Sequence, residues 1–174
     1  MENNPSLPTR KPTRLQNYDY SQNGCYFVTV CVKNRKSILS TIVGGDALIA
    51  PKTVRLKPFG KIAEKYIQSM ETAYDTVKVN NYILMPNHLH LLISIDTYGA
   101  PRSSPPTVSA IIAVFKRFAN QEIGENIWQR GFYDRIIRNE TEYLRAWEYI
   151  EYNALKEYGQ KTRTDQNSTE VITE

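Results

Sequence analysis

Tyr82-Ile83-Leu84-Met85-Pro86-Asn87-His88-Leu89-His90-Leu91-Leu92-Ile93-Ser94-Ile95 contains both histidines of a 174-residue chain, two positions apart inside an apolar run. The run is short, rich in Leu and Ile and bounded by polar segments, which predicts a buried strand. Strand side chains alternate between faces, so His88 and His90 share one face while Leu89, Leu91, Ile93 and Ile95 share the other. Two imidazoles at that spacing, roughly 6–7 Å apart at Cα, can converge on one metal ion. The competing reading is a pair of satisfied core histidines on an amphipathic strand. Concentration of the whole histidine supply at one spot favours the metal.

Within the quoted run, Pro86-Asn87 is a tight break, so the extended segment Thr76–Met85 predicts an antiparallel partner for the histidine strand. Gly24–Lys33 predicts a first strand, with Val28, Val30 and Val32 on one face and Phe27, Thr29 and Cys31 on the other. Asn34-Arg35-Lys36-Ser37 closes it as a polar turn. Residues 40–58 hold a Gly-Gly pair and two prolines and predict an irregular insertion or small hairpin. Phe59, Ile62, Ala63, Tyr66, Ile67 and Met70 repeat at helical spacing within Lys57–Tyr74. Asp96–Pro106 reads as a loop. Thr107 then caps a helix to Ile123 with Val108, Ile111, Ile112, Phe115 and Phe118 as its buried stripe, and Gly124 ends it. A short extended piece, Arg135–Arg138, follows the aromatic pair Phe132-Tyr133. Asn139 or Thr141 caps a last helix that runs to about Tyr158, before Gly159.

That order predicts an α+β chain: a ferredoxin-like βαββαβ antiparallel sheet with an additional C-terminal helix. Two helices cover one sheet face, and the third can form a cleft on the other. Residues 1–14 read as a flexible N-terminal arm, 15–159 as a single domain, and 160–174 as a polar, disordered tail.

Composition narrows the class. A hydrophobic fraction of 41% with 23% charged residues is that of an ordinary globular chain. No apolar run approaches the ~20 residues that span a bilayer, and the N-terminus lacks a signal-peptide core, so the expectation is a cytoplasmic protein with no membrane role. Cys25 and Cys31 fall on one strand about 20 Å apart, too far to pair or share a metal. The net charge of +4 is compatible with a polyanionic partner.

On the last helix, Leu144, Trp147, Ile150, Ala154 and Tyr158 form the apolar stripe at 100° per residue. Tyr149 falls opposite it, with Asn153 one turn on, so the phenol and the amide project together. If those two face the sheet, the stripe must pack against the N-terminal arm, the 40–58 insertion or a second subunit.

Met85-Pro86-Asn87-His88-Leu89-His90-Leu91-Leu92-Ile93, Ile127-Trp128-Gln129-Arg130-Gly131-Phe132-Tyr133-Asp134-Arg135-Ile136-Ile137-Arg138-Asn139-Glu140 and Glu148-Tyr149-Ile150-Glu151-Tyr152-Asn153 together resemble the HUH single-tyrosine transposases. The resemblance is nearest to the REP-associated tyrosine transposases and spans about Arg14 to Tyr158. It implies that 15–159 is a catalytic domain, that His88 and His90 bind a metal with Asn153 as third ligand, and that Tyr149 is the nucleophile. The chain departs from the family at Asn153-Ala154, where relatives have Asn-Pro.

Chemistry agrees with what the resemblance implies. A phenol with pKa near ~10 is a weak nucleophile at neutral pH and needs a polarised, in-line phosphorus. A divalent ion, Mn²⁺ or Mg²⁺, on two imidazoles and an amide would keep its full charge for a phosphate. The reaction the resemblance implies is single-stranded DNA cleavage and strand transfer at hairpins through a 5′-phosphotyrosine. No nucleotide cofactor is required, and the chain has no Gly-rich phosphate loop. Lys116, Arg117, Arg130, Arg135 and Arg138 are candidates for DNA-backbone contacts, and Trp128, Phe132 and Tyr133 for base stacking. A non-catalytic hairpin-binding relative and a small metal-binding domain are the competing classes. Both a monomer and a homodimer with exchanged tyrosine helices are compatible with the sequence.

Overall fold

The structure of the chain, a computed structural model, describes residues 23–43, 53–96 and 106–167, with side chains through Asn153. Its elements are β1 (Gly24–Cys31), β2 (Ser40–Val43), β3 (Thr53–Leu56), α1 (Pro58–Gln68), α2 (Met70–Ala73), β4 (Val77–Leu84), β5 (His88–Ile95), α3 (Val108–Ile123), β6 (Tyr133–Ile137) and α4 (Glu140–Asn167). The expected arm at 1–14 lies outside the described residues, as does most of the 96–106 loop.

Four strands form one sheet in the order β4-β5-β1-β6, every neighbouring pair antiparallel. This is the ferredoxin-like arrangement expected from the βαββαβ order. The 40–58 segment supplies a separate hairpin of β2 and β3. Lys57 N–H donates to the Leu39 carbonyl at 2.9 Å, which brings the hairpin base onto α1. A Cβ on Gly60 would collide with that same Leu39 carbonyl, so only glycine allows so close an approach.

Alternation along the strands builds two apolar layers. Tyr26, Val28, Val30, Leu89, Leu91 and Ile93 face α1 and α3 and pack against Ala63, Ile67, Ile111 and Phe115. On the other face, Leu92 and Ile137 meet Ile150 of α4, with Phe27, Ile83, Tyr143 and Ala146 around them. The histidine face of the sheet is therefore the one that α4 covers.

Local chemistry sets the helix ends. Thr107 accepts a hydrogen bond from the Ala110 N–H at α3, and Gly124 closes that helix at φ 84°. At α4, Asn139 is the cap: its side-chain oxygen accepts from the Glu142 N–H at 2.9 Å. The single helix expected over 57–74 is instead α1 and α2, separated at Ser69. Inside α3, Ala119 takes the buried place expected for Phe118, which is 39% exposed. The last helix runs through Gly159 to Asn167, past the end expected before Gly159 and into the tail expected from 160, a mid-helix glycine costing only about 1 kcal/mol.

The largest difference concerns which side of α4 is inside. Leu144 and Trp147 are exposed, and the face toward the sheet is Tyr143, Ala146, Ile150 and Asn153. Tyr149 flanks that face rather than opposing it. Replacing Ile150 with Ala should cost about 2–5 kcal/mol in urea unfolding. A loss under about 0.5 kcal/mol, the level of an ordinary surface change, would mean that α4 is not held by this layer.

Candidate active site

The site begins with the turn between β4 and β5. Its backbone is held from outside: the Pro86 carbonyl accepts from Leu39 N–H at 3.0 Å and the Asn87 carbonyl from Val32 N–H at 2.9 Å. The β1–β5 register then sets Cys31 opposite His88 and Thr29 opposite His90. Both imidazoles are buried, 7% and 5% exposed. Asn87 Oδ1 lies 2.6 Å from His88 Nδ1, and Thr29 Oγ1 lies 2.9 Å from His90 Nδ1. With both Nδ1 atoms so engaged, the two Nε2 atoms face each other at 3.1 Å.

Burial pushes His88 down to about 4, helped by the positive charge of Arg35. Burial, then the neighbouring His88, pushes His90 down to about 3. Both rings are therefore neutral at pH 7, the state in which imidazole is a ligand. Arg35 sits in a short 3-10 turn, Lys33–Arg35, immediately after β1, and both Asn34 (φ 55°) and Arg35 (φ 52°) are left-handed. Such backbone is uncommon for residues other than glycine. The sequence suggests a polar turn here, but only three dimensions bring Arg35 to the histidine end.

Tyr149 reaches the pair from α4. Its ring centroid is 5.1 Å from that of His90, edge to face, and 5.6 Å from that of Phe27. Phe27 also stacks on His90 at 5.1 Å, so one aromatic ring props both the imidazole and the phenol. Across β1, α4 starts beside Ile137, whose partner is Cys25, and Tyr149 arrives at His90, whose partner is Thr29. Asn153, 4% exposed, is one turn, about 6 Å, further along. Tyr152 is 56% exposed.

The donor set fits a divalent metal. If each Nδ1–H donates to its oxygen partner, two buried lone pairs meet at Nε2, an arrangement that a cation about 2 Å from each nitrogen relieves. Oxygen partners on the distal ring nitrogens are what usually orient metal-bound histidines. Among the described residues no three His, Cys, Asp or Glu side chains converge. A third protein ligand must come from another type of donor, and the Asn153 amide is the candidate.

The expected DNA contacts separate into groups. Arg135 lines a cavity beside Tyr149. Arg130 and Arg138 are exposed, Arg130 just after Gln129, whose N–H donates to the Cys31 carbonyl at 2.8 Å. Arg117 lies over Phe118 on α3, on the far side of the sheet. Two of the expected contacts fail. Trp128 is 2% exposed and packs on Phe115 of α3 in the core, so it cannot stack on a base; its own backbone bridges to Val32 at the end of β1. Lys116 donates to the Gln129 and Gly131 carbonyls at 2.9 and 2.7 Å, and its burial lowers it to about 8; it clamps a loop instead of a phosphate. Phe132 packs beside the core, while Tyr133 is 51% exposed. Phe27, Thr29 and Arg145 are site residues that the sequence does not single out. The face of Phe27 and Thr29 is readable from alternation, but their partners follow from strand register.

No protein-family model matches the chain. An uncharacterized protein of Haemophilus influenzae is 27% identical over 173 residues, covering 87% of this chain and 92% of its own. A REP-associated tyrosine transposase of Escherichia coli K12 is 26% identical over 140 residues, 79% of this chain and 70% of its own. The solved structure of a REP-associated tyrosine transposase bound to a REP hairpin matches with a TM-score of 0.60 at 21% identity, over 83% of this chain and 74% of that one. In sequence the chain is similar to REP-associated tyrosine transposases, and in fold to the one solved with a REP hairpin. No helix among the described residues is long and apolar enough to cross a membrane.

The histidines also predict an acid response. Both are bases whose folded pKa lies below the ordinary 6.5, so between about 6.5 and 4 the unfolded chain binds more protons and stability falls as pH drops. The urea midpoint of the metal-free protein should decline through that window, and less steeply in the double variant His88→Gln/His90→Gln. An acid slope that the double variant leaves unchanged would contradict the neutral buried pair.

Proposed function

We propose that the chain is a metal-dependent single-stranded DNA endonuclease and strand-transferase that acts at hairpin DNA. The observation that carries this reading is the meeting, within one chain, of the His88–His90 pair and the Tyr149 ring, 5.1 Å from His90. That these three side chains meet within one subunit suits a tyrosine that acts on DNA held by its own histidines.

In this reading His88, His90 and Asn153 would hold Mn²⁺ or Mg²⁺, which would supply positive charge to a bound phosphate. Thr29 and Asn87 keep the two imidazoles turned toward each other. Phe27 limits the freedom of the Tyr149 ring, which brings the phenol toward the in-line position that displacement at phosphorus requires. The Tyr149 oxygen attacks, a P–O bond to Tyr149 forms and the P–O3′ bond breaks. The phenol loses its proton and the departing 3′-oxygen takes one up, leaving a 5′-phosphotyrosine and a free 3′-hydroxyl. Attack of a 3′-hydroxyl on that ester reverses the exchange and rejoins a strand. The bond count is conserved in both directions, so no nucleotide cofactor enters.

Incubation with a single-stranded hairpin oligonucleotide and Mn²⁺ should yield a covalent protein–DNA adduct on a denaturing gel. Tyr149→Phe should abolish it, chelation should suppress it, and His90→Ala should slow its formation by about 10²–10³-fold. Tight hairpin binding with no adduct from the unaltered protein would point to a non-catalytic hairpin-binding protein instead.

A further inference from the structure

Beside Tyr149, between α4 and strands β1 and β6, lies a cavity of about 360 Å³ lined by Phe27, Arg135, Ile137, Arg145, Ala146 and Tyr149. That size is within the range of small-ligand sites. Its wall is chemically divided. Phe27, Ile137 and Ala146 contribute apolar surface, Arg135 and Arg145 contribute two cations, and the described residues that line it include no carboxylate. The Glu142 carboxylate lies 3.6 Å from Arg135, whose side chain is 60% exposed. A guanidinium carries five N–H donors, so a contact this long leaves Arg135 able to bind a second anion. Two cations and an apolar wall in one cavity match a phosphate joined to a flat, weakly polar ring.

Tyr149 is shared between this cavity and the histidine pair. A strand whose scissile phosphate lies at the phenol must place its next nucleotide within one step of the same side chain. Resting on the reading of Tyr149 as the nucleophile, we propose that the cavity binds the nucleotide bordering the scissile phosphate of single-stranded DNA. Arg135 and Arg145 hold its phosphate, and Phe27, Ile137 and Ala146 receive its sugar or base. The cavity thereby sets which phosphate is presented to Tyr149, a role separate from grip on the hairpin stem.

The test is a cycle between one protein charge and one DNA charge. Full-length protein carrying Tyr149→Phe, which binds without cleaving, is titrated against a fluorescent hairpin with single-stranded flanks. Each flanking phosphate is replaced in turn by an uncharged methylphosphonate. At one phosphate, neutralisation should weaken binding about tenfold when Arg145 is present and under about twofold in Arg145→Gln. Arg145→Lys, which keeps the charge, should retain part of that coupling. Equal losses at every flanking phosphate with and without Arg145 would overturn the proposal, as would a hairpin that the parent protein does not bind. Adduct formation by protein with Tyr149 intact is scored separately, so a failure of the chemistry is distinguishable from a failure of the cavity.

Discussion

The antiparallel register between β1 and β5 holds the site together. By pairing Thr29 with His90 and Cys31 with His88, it turns a sequence spacing of two into two imidazoles whose Nε2 atoms are 3.1 Å apart. A slip of one residue would send both rings to the other face of the sheet, into the layer filled by α1 and α3. Register is resistant to such slippage because each strand has one strictly apolar face. Val28 and Val30 answer Leu91 and Leu89, and exchanging faces would bury Thr29 and both histidines among aliphatic side chains. The same pleat that builds the core therefore delivers the polar pair to the opposite side.

What α4 contributes is a cover for the histidine face with Tyr149 on its rim. It docks through small and medium side chains, Ala146 and Ile150 above all, which lets the helix lie close to the sheet. A bulky residue at either position would lift Tyr149 away from His90. Capping by Asn139, the Arg138 N–H donated to Glu142 at 3.1 Å and the hydrogen bond from Asn81 to Glu151 at 3.0 Å fix the helix at its start and again beside the site. Trp128 and Lys116, buried or committed to loop carbonyls, support the end of β1 from the other side. Their contribution is to the shape of the site.

Much of the site is legible in the amino-acid sequence, for a physical reason. Strands repeat every two residues and the histidine strand is short, so its faces follow directly from its letters. The tyrosine and the asparagine four residues later share a helical neighbourhood by the same arithmetic. The docking face of α4 is legible only in part: Ile150 is in the expected apolar stripe and is buried, but Leu144 and Trp147 dominate any count of apolar residues while Tyr143, Ala146 and Asn153 share the packing. Summed hydrophobicity favours large side chains, whereas close approach to a sheet favours small ones. Partners such as Thr29 and Phe27, and the approach of Arg35 and Arg145, depend on contacts between elements distant in sequence, which periodicity does not encode. Basic residues are legible as basic, but whether a cation meets DNA or a loop carbonyl is decided by tertiary position, as Lys116 illustrates.

The proposed chemistry requires one cation to join β5 to α4, and anomalous diffraction from crystals grown with Mn²⁺ would locate it. The predicted result is a single peak between His88 Nε2 and His90 Nε2, about 2 Å from each, with the Asn153 amide oxygen completing the protein ligands. A crystal in which Mn²⁺ binds elsewhere, or which shows no metal peak between the two imidazoles at saturating Mn²⁺, would contradict it.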